Sequence, residues 1–454
     1  MKILFLTHLY PPRHIGGTET YTHGLGQELI RAGHQVQVLS VEDWENGEAY
    51  WNGVTDDTYE GVPVRRLHLN WTHAPDVNRY LYDNPMVAQY LKTYLAEVQP
   101  DVVHVTSCNT LSASVIGAVK QAALPIVVTL TDFWFVCPRV TLLRGDGTLC
   151  DGQVTDEDCL ECLLQDARIY RWSKQSVGRS AAVKLLSVAS QHGNLTRLSG
   201  LRGMAIDIHH RRTILHQALY QADRVLIASE SARKIFQNNG FSMPIEVVHY
   251  GHDLSWLKAY PGKRPNDTVR LGFIGQIAAM KGPQLLIETY RKANSNGHAQ
   301  LFIYGNLDKD SHFGQYLRSL AEGRSDIEFR GTYPHAESGR IFSELDVLVV
   351  PSLWHDYPLI INEAFATQTP VIASNFGGMS EFVQHDVNGL LFERGSAEDL
   401  ATQLNRVIME PGLVERLRRG IPRVKSMAEA VSEMLGVYDE LIRKQSGELK
   451  VKKR

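Results

Sequence analysis

Three groups of residues in this sequence are of the types, and at the spacings, that could do chemistry. In PSLWHDYPLIINEAFATQTPVIAS, from Pro351 to Ser374, Glu363 follows a helix start at Pro358, and His355 lies in the loop before it. The free amides and positive dipole end of such a helix suit a phosphate, and a carboxylate suits a diol offering two hydroxyl donors. The plainer reading makes Glu363 a favourable first-turn charge and His355 a capping residue. In GFIGQIAAMKGPQLLIE, Lys281 precedes Gly282 and a helix opening at Pro283. An ammonium there can neutralise a diphosphate, whose charge grows as an ester bond to it breaks; a solvated loop lysine is the alternative. In VVTLTDFWFVCPR, Thr131 and Asp132 end a strand. Asp132 can orient a hydroxyl or accept its proton, or simply cap the next turn.

Other positions point to ligand approach. Gly16 and Gly17 in PPRHIGGTETY let the backbone pass close to a ligand ahead of a helix, or make a flexible turn. No G-x-G-x-x-G is present, which disfavours a dinucleotide. Gly305 after QLFIY, and Gly331 with Tyr333 after IEF, stand at strand C-terminal ends, where open α/β sheets bind ligands. Four of the five cysteines, Cys137, Cys150, Cys159 and Cys162, fall close together, the last two as Cys-x-x-Cys. In a reducing compartment this pattern reads as a structural zinc site, with an iron–sulfur cluster or free thiols as the alternatives. The acidic runs DKD (308–310) and DED (156–158) are discounted as catalytic cation sites, because neither falls in a ligand-facing loop.

Positioning these residues takes alternating elements. Short apolar strands (ILFLTHL, QVQVLSV, VVHVTS, PIVVTLT, RVLIAS, IEVVHYG) alternate with amphipathic helices, one from about Thr18 to Ala32 stopped by Gly33. The alternation restarts after a Pro-, Gly- and charge-rich stretch with VRLGFIGQ, QLFIYGN, IEFRGTY, VLVVPSL, PVIASN and GLLF. This predicts α/β architecture with two doubly wound parallel sheets. The expected division is a first domain over 1–252, with a Cys-rich insert at 137–162 and a basic helical segment at 168–212. A linker over 253–268, a second domain over 269–426 and a helix with a mobile tail over 427–454 complete it.

The chain has 454 residues, 43% hydrophobic and 21% charged, with a formal net charge of -3. That is the balance of a soluble protein, and it lacks the basic excess of a nucleic-acid binder. The apolar start MKILFLTHLYPP is too short for a signal peptide, and no run approaches the roughly 20 apolar residues of a membrane span. The expected location is the cytoplasm, with peripheral contact at the inner face of the plasma membrane. The basic stretch 168–212 suits anionic headgroups or a lipid-linked diphosphate, or is a solvated hairpin.

Around Pro358, Leu359, Glu363 and Ala364 the chain resembles retaining glycosyltransferases of family 4. Their Glu, seven residues, Glu signature is matched here by His355, seven residues, Glu363. The resemblance runs from Lys2 to about Arg406 and implies the GT-B fold, two Rossmann-like domains facing across a cleft, with the last helix crossing back to the first domain. It implies transfer of a sugar from a nucleoside-diphosphate sugar to a glycan or lipid-linked glycan hydroxyl, with no cofactor for catalysis. Glu363 would hold the nucleotide ribose, Lys281 the diphosphate and His355 the donor sugar, with Thr131 and Asp132 in the catalytic set. Gly16, Gly17, Gln276, Gly305, Tyr333, Tyr357, Pro358 and Leu359 would complete the donor site. The chain departs from the family at His355, at Gln276 (Arg in relatives) and at Thr131 (His in many). Those departures raise a catalytically weak nucleotide-sugar-binding partner as the alternative, with a nucleotide-sugar epimerase as another.

Overall fold

The computed structural model describes residues 1–43, 47–165, 181, 204–264, 266–293, 297–308, 310–354 and 357–447. His355, most of the basic stretch 168–212 and the tail beyond 447 lie outside the described residues. The chain forms two compact units. The first comprises Met1–Ala228, Arg233–Tyr250 and Ala428–Arg454; the second comprises Ser229–Ala232 and Gly251–Met427.

The first unit holds an eight-stranded sheet: β1 (Lys2–Thr7), β2 (Gln35–Asp43), β3 (Trp51–Tyr59), β4 (Val62–Leu69), β5 (Val102–Val105), β6 (Ile126–Leu130), β7 (Arg224–Ile227) and β8 (Glu246–Val247). Their spatial order is β3-β4-β2-β1-β5-β6-β7-β8. Only the β3–β4 pair runs antiparallel. The central strands VVHV and IVVTL are buried along their whole length, because helices cover both faces of a parallel sheet. The helix Gly17–Arg31 stops two residues before Gly33, whose φ of +85° suits the left-handed turn after a helix.

The β3–β4 hairpin is a finding beyond the sequence reading. Its turn, Glu60–Gly61, takes positive φ at both residues (45° and 85°), the geometry that matches strand twist. β3 is largely exposed and lacks apolar alternation. Ion pairs hold it instead: Arg65 Nε lies 2.7 Å from Asp56, its register partner, and Arg66 Nε 2.8 Å from Asp57.

The C-terminal helix, Met427–Gln445, contributes Tyr438 to the first unit's core. Its hydroxyl lies 2.6 Å from His104 Nδ1, and the other ring nitrogen lies 2.7 Å from Thr129 Oγ1. Burial lowers the imidazole to about 3 and keeps it neutral.

The second unit holds a six-stranded, all-parallel sheet: β9 (Val269–Ile274), β10 (Ala299–Tyr304), β11 (Ile327–Gly331), β12 (Val347–Val350), β13 (Val371–Ser374) and β14 (Gly389–Phe392). The order is β11-β10-β9-β12-β13-β14. The stretch 253–268, expected to be a linker, is packed into this unit. Trp256 is buried, its ring stacked 6.2 Å from that of Phe342, and Lys263 Nζ donates to the carbonyls of Phe342 and Leu345 at 2.7 Å. Its Pro, Gly and charge content marks irregular backbone, which can still bury a large ring. Among the described residues no helix is long and apolar enough to cross a membrane.

Candidate functional site

In the second unit, β9, β10 and β11 are laid down toward one edge of the sheet and β12, β13 and β14 toward the other. The direction of winding therefore reverses between β9 and β12, and loops leaving a sheet at such a reversal splay apart into a crevice. Lys281 belongs to the segment after β9, and residues 351–354 and 357–358 to the segment after β12. A Cβ on Gly282 (φ +75°) would lie 2.0 Å from the Pro351 carbonyl oxygen, so glycine is what lets the two loops close on each other. Leu353 N–H then donates to the Met280 carbonyl at 2.8 Å. Lys281 Nζ stands 5.3 Å from the centroid of the Trp354 ring. A second cation, Arg394 beyond β14, donates to the Leu353 carbonyl at 3.2 Å and lies over the Phe376 ring. Two positive side chains thus flank residues 353–354.

The helix after this loop, Leu359–Ala366, has Pro358 at its N-cap instead of within the first turn. Ile361, Ala364 and Phe365 are buried in the core, while Ile360 is half-buried. Glu363 is turned away from them with 18% of its side chain exposed, and its Oε1 lies 3.7 Å from His335 Nε2. Tyr333 is close as well: burial, then the charge of Glu363, raises its phenol well above the ordinary range. Beside Tyr333 a cavity of about 330 Å³ opens, lined by Tyr304, Arg330, Glu337 and Arg340 among others. Gly305 and Gly331 stitch the neighbouring strand ends together, Gly305 N–H donating to the Gly331 carbonyl at 2.9 Å. The fold therefore brings together Glu363 and Tyr333, and separately Lys281 and the 353–354 loop. Gln276 is exposed just past β9, and Tyr357 packs edge-on against Phe382. His335 and Arg394 escaped the sequence reading. Their only signal was position, a few residues past the ends of β11 and β14.

In the first unit the winding reverses between β1 and β5, and the order β1-β5-β6 sets three strand ends side by side. His8, Thr106 and Thr131 follow those ends. Thr131 Oγ1 donates to the Thr106 carbonyl at 2.8 Å and accepts from Thr18 Oγ1 at 2.9 Å, so this hydroxyl is engaged in tying the ends together. Asp132 Oδ1 accepts from Trp134 N–H at 2.8 Å, which is the turn cap of the plainer reading. Its carboxyl is partly solvent-accessible but crowded by protein. That desolvation raises its pKa against the opposing pull of the Trp134 amide, His8 and Arg211.

Glu19, missed in the sequence, is buried with Oε1 3.2 Å from His8 Nε2. Burial pushes this carboxyl up, yet the hydrogen bond and charge of His8 help to outweigh it, and the pKa ends lowered. A Cβ on Gly16 would lie 2.7 Å from Glu19 Oε2, whereas one on Gly17 would meet nothing within 4 Å. The loop before Gly16 is anchored by Arg66, which donates to the carbonyls of Tyr10 (3.2 Å) and Pro11 (2.6 Å) and pairs with buried Glu42 at 3.3 Å.

Cys137, Cys150, Cys159 and Cys162 are free thiols that line one cavity of about 30 Å³. Among the described residues no group of three or more His, Cys, Asp or Glu side chains could hold a metal ion. The DED run opens the helix Asp156–Leu164, where Asp158 forms a capping box with Thr155.

Residues 16–251 match the model of the glycosyl transferase 4-like domain, and residues 268–410 that of glycosyl transferases group 1. An uncharacterised glycosyltransferase of Methanocaldococcus jannaschii is 22% identical, over 96% of this chain and 98% of its own length. Among solved structures, sucrose-phosphate synthase from Thermosynechococcus elongatus superposes with a TM-score of 0.65 at 17% identity, covering 98% of this chain and all of the other. Anabaena HepE in complex with UDP and glucose gives 0.58 at 16% identity, covering 99% and 100%. These likenesses establish the shared GT-B fold class of two parallel-sheet α/β domains, and the matched models establish the family: this chain is a group 1 glycosyltransferase of the family 4 type.

Proposed function

We propose that the enzyme transfers a sugar, with retention, from a nucleoside-diphosphate sugar to a hydroxyl of a glycan or lipid-linked glycan, in building a cell-surface polysaccharide or glycoconjugate. The observation that carries this reading is the charge pattern at the second unit's switch point. Lys281 and Arg394 flank residues 353–354 ahead of a helix start, and Glu363 stands beside Tyr333, which itself lines a cavity of about 330 Å³. The cavity falls in the size range of pockets for small organic ligands and suits a nucleobase. Glu363 takes the ribose diol, and the two cations with the helix amides take the diphosphate. Arg394 supplies the positive charge that Gln276 does not. The HepE structure, which holds UDP and glucose, is a relative in fold that supports a donor of this class.

In the reaction the bond from the anomeric carbon to the phosphate oxygen breaks. The acceptor oxygen bonds to that carbon on the same face, and its proton passes to the departing phosphate. Lys281 and Arg394 stabilise the negative charge as it develops there, so no divalent cation is required. Asp132 orients the acceptor hydroxyl, while Thr131 keeps one acceptor lone pair beyond the bonds to Thr106 and Thr18 that engage its hydroxyl. The basic composition of 168–212 supports an acceptor carried on an anionic membrane, with the enzyme at its cytoplasmic face. A second reading, donor binding without turnover, draws on that same engaged hydroxyl. Incubating the enzyme with a panel of radiolabelled nucleotide sugars and lipid-linked acceptors in the presence of EDTA tests both. Transfer with retained anomeric configuration supports the proposal; thermal stabilisation by a donor with neither transfer nor hydrolysis favours the second reading.

A further inference from the structure

The cavity beside Tyr333 carries charges that holding a ribose or a phosphate does not use. Glu337 ends the turn His335–Glu337, and Arg340 lies in the helix Ser338–Ser343 that follows. Both line the cavity, with Tyr304, Arg330 and Tyr333. Their backbone is held in place: Ser338 is buried, and a Cβ on Gly339 would lie 3.2 Å from the Cα of Tyr260. Tyr333 ties the cavity to the rest of the site, because its phenol responds to the charge of Glu363. A base in the cavity and a ribose at Glu363 would therefore be neighbours.

Arg340 and Glu337 form one ion pair with an uneven grip. Arg340 Nη2 and Nε both go to a single oxygen, Glu337 Oε2, at 2.7 and 3.2 Å. Arg340 Nη1 lies 3.4 Å from Glu344 Oε1, and Arg330 Nη1 lies 3.0 Å from Glu344 Oε2. Arg330 also donates to the Tyr304 hydroxyl at 3.0 Å. Two guanidiniums thus share Glu344, and positive charge stays beside Glu337. The side chains of Arg340 and Glu337 are themselves about half exposed (49% and 45%), so their pairing contributes little to stability and leaves both able to turn toward a ligand.

A cationic donor beside a two-oxygen acceptor matches one base edge. Guanine presents O6, N1–H and the 2-amino group in a row, one acceptor and then two donors. A guanidinium can donate to O6 while the two carboxylate oxygens accept from N1–H and the amino group. Uracil presents O4, N3–H and O2, so its last oxygen would face a carboxylate oxygen, lone pair against lone pair. Adenine and cytosine each offer a carboxylate one amino group, which leaves its second oxygen unmatched. Resting on the donor reading above, we propose that this cavity selects guanine, which makes the donor a guanosine-diphosphate sugar, with Glu337 as the specificity-determining residue and Arg340 as its partner. At 16% identity the likeness to HepE carries the fold and leaves the base open.

The test is isothermal titration calorimetry of the full-length chain with the diphosphates of guanosine, inosine, uridine, adenosine and cytidine. Guanosine diphosphate is expected to bind about 10–100-fold more tightly than the uridine, adenosine and cytidine compounds, the discrimination of one well-made two-point contact. Inosine diphosphate, which keeps O6 and N1–H but lacks the 2-amino group, should fall about tenfold below it. Glu337→Gln, whose amide offers one acceptor oxygen, is expected to bring guanosine diphosphate down to about the affinity of uridine diphosphate. Equal affinities across the panel, or a preference for another base, overturn the proposal and leave the donor reading standing. A guanosine preference that survives Glu337→Gln overturns it as well. If no diphosphate binds, the donor reading fails and this one with it. Should the variant fail to fold, the comparison of guanosine with inosine diphosphate on the unaltered chain decides.

Discussion

The two units place their functional groups at the same topological feature, the strand pair where winding reverses, yet equip it differently. The second unit presents cations, Lys281 and Arg394, with one partly exposed carboxylate, Glu363. The first presents titratable groups crowded by protein: Glu19 with His8, and Asp132 close by. Within that cluster the environment drives two carboxyls apart, Glu19 down and Asp132 up. The two carboxyls of one cluster are thus shifted in opposite directions by burial and by His8. On the proposed reading the contrast separates two tasks, holding a polyanion with fixed charge and orienting a hydroxyl.

The contrast can be broken most severely at Lys281. Lys281→Ala is expected to lower kcat by about 10²–10³, because it removes charge aimed at the leaving diphosphate, and steady-state kinetics at saturating donor would read this. Next comes Asp132→Asn, with an expected loss of about 10². Because burial raises this acid's pKa, its ionised form disappears at a higher pH than that of an ordinary carboxylate. The parent enzyme should therefore lose rate as pH falls through that raised value, whereas the Asn variant stays flat; parallel profiles would remove the Asp132 carboxylate from orienting the acceptor. Glu363→Gln sharpens the other side. It should raise the donor KM roughly tenfold, matching about 1–2 kcal/mol for a charged hydrogen bond, and leave kcat nearly unchanged. A purely structural pair also calibrates the first unit. Tyr438→Phe leaves His104 Nδ1 buried without its partner and should cost about 1–3 kcal/mol in denaturant unfolding, with no change in KM.

Much of the frame was legible in the chain. Short, largely apolar runs such as VLVV and IVVTL suit strands covered on both faces, and Gly33 marks a helix end because its turn needs positive φ. The β3–β4 hairpin was not legible: WNGVTDDTY carries no apolar alternation, and its ladder is held by arginines on the partner strand. Lys281 and Glu363 could be picked out because helix starts are local features, visible as Pro, Gly and a nearby charge.

The residues that turn those marks into a site were decided by tertiary structure alone. His8 and Glu19 are far apart in type and context until β1 and the helix after it bring them within 3.2 Å. That Glu19 Oε2 lies over Gly16, and that Thr106 and Thr18 bond the Thr131 hydroxyl, is likewise visible only in the folded chain. Hydropathy period and backbone preference act over a few residues, so the sequence determined the elements and their alternation. Which strand ends become neighbours depends on the order of strands in the sheet, and only the folded chain sets that order.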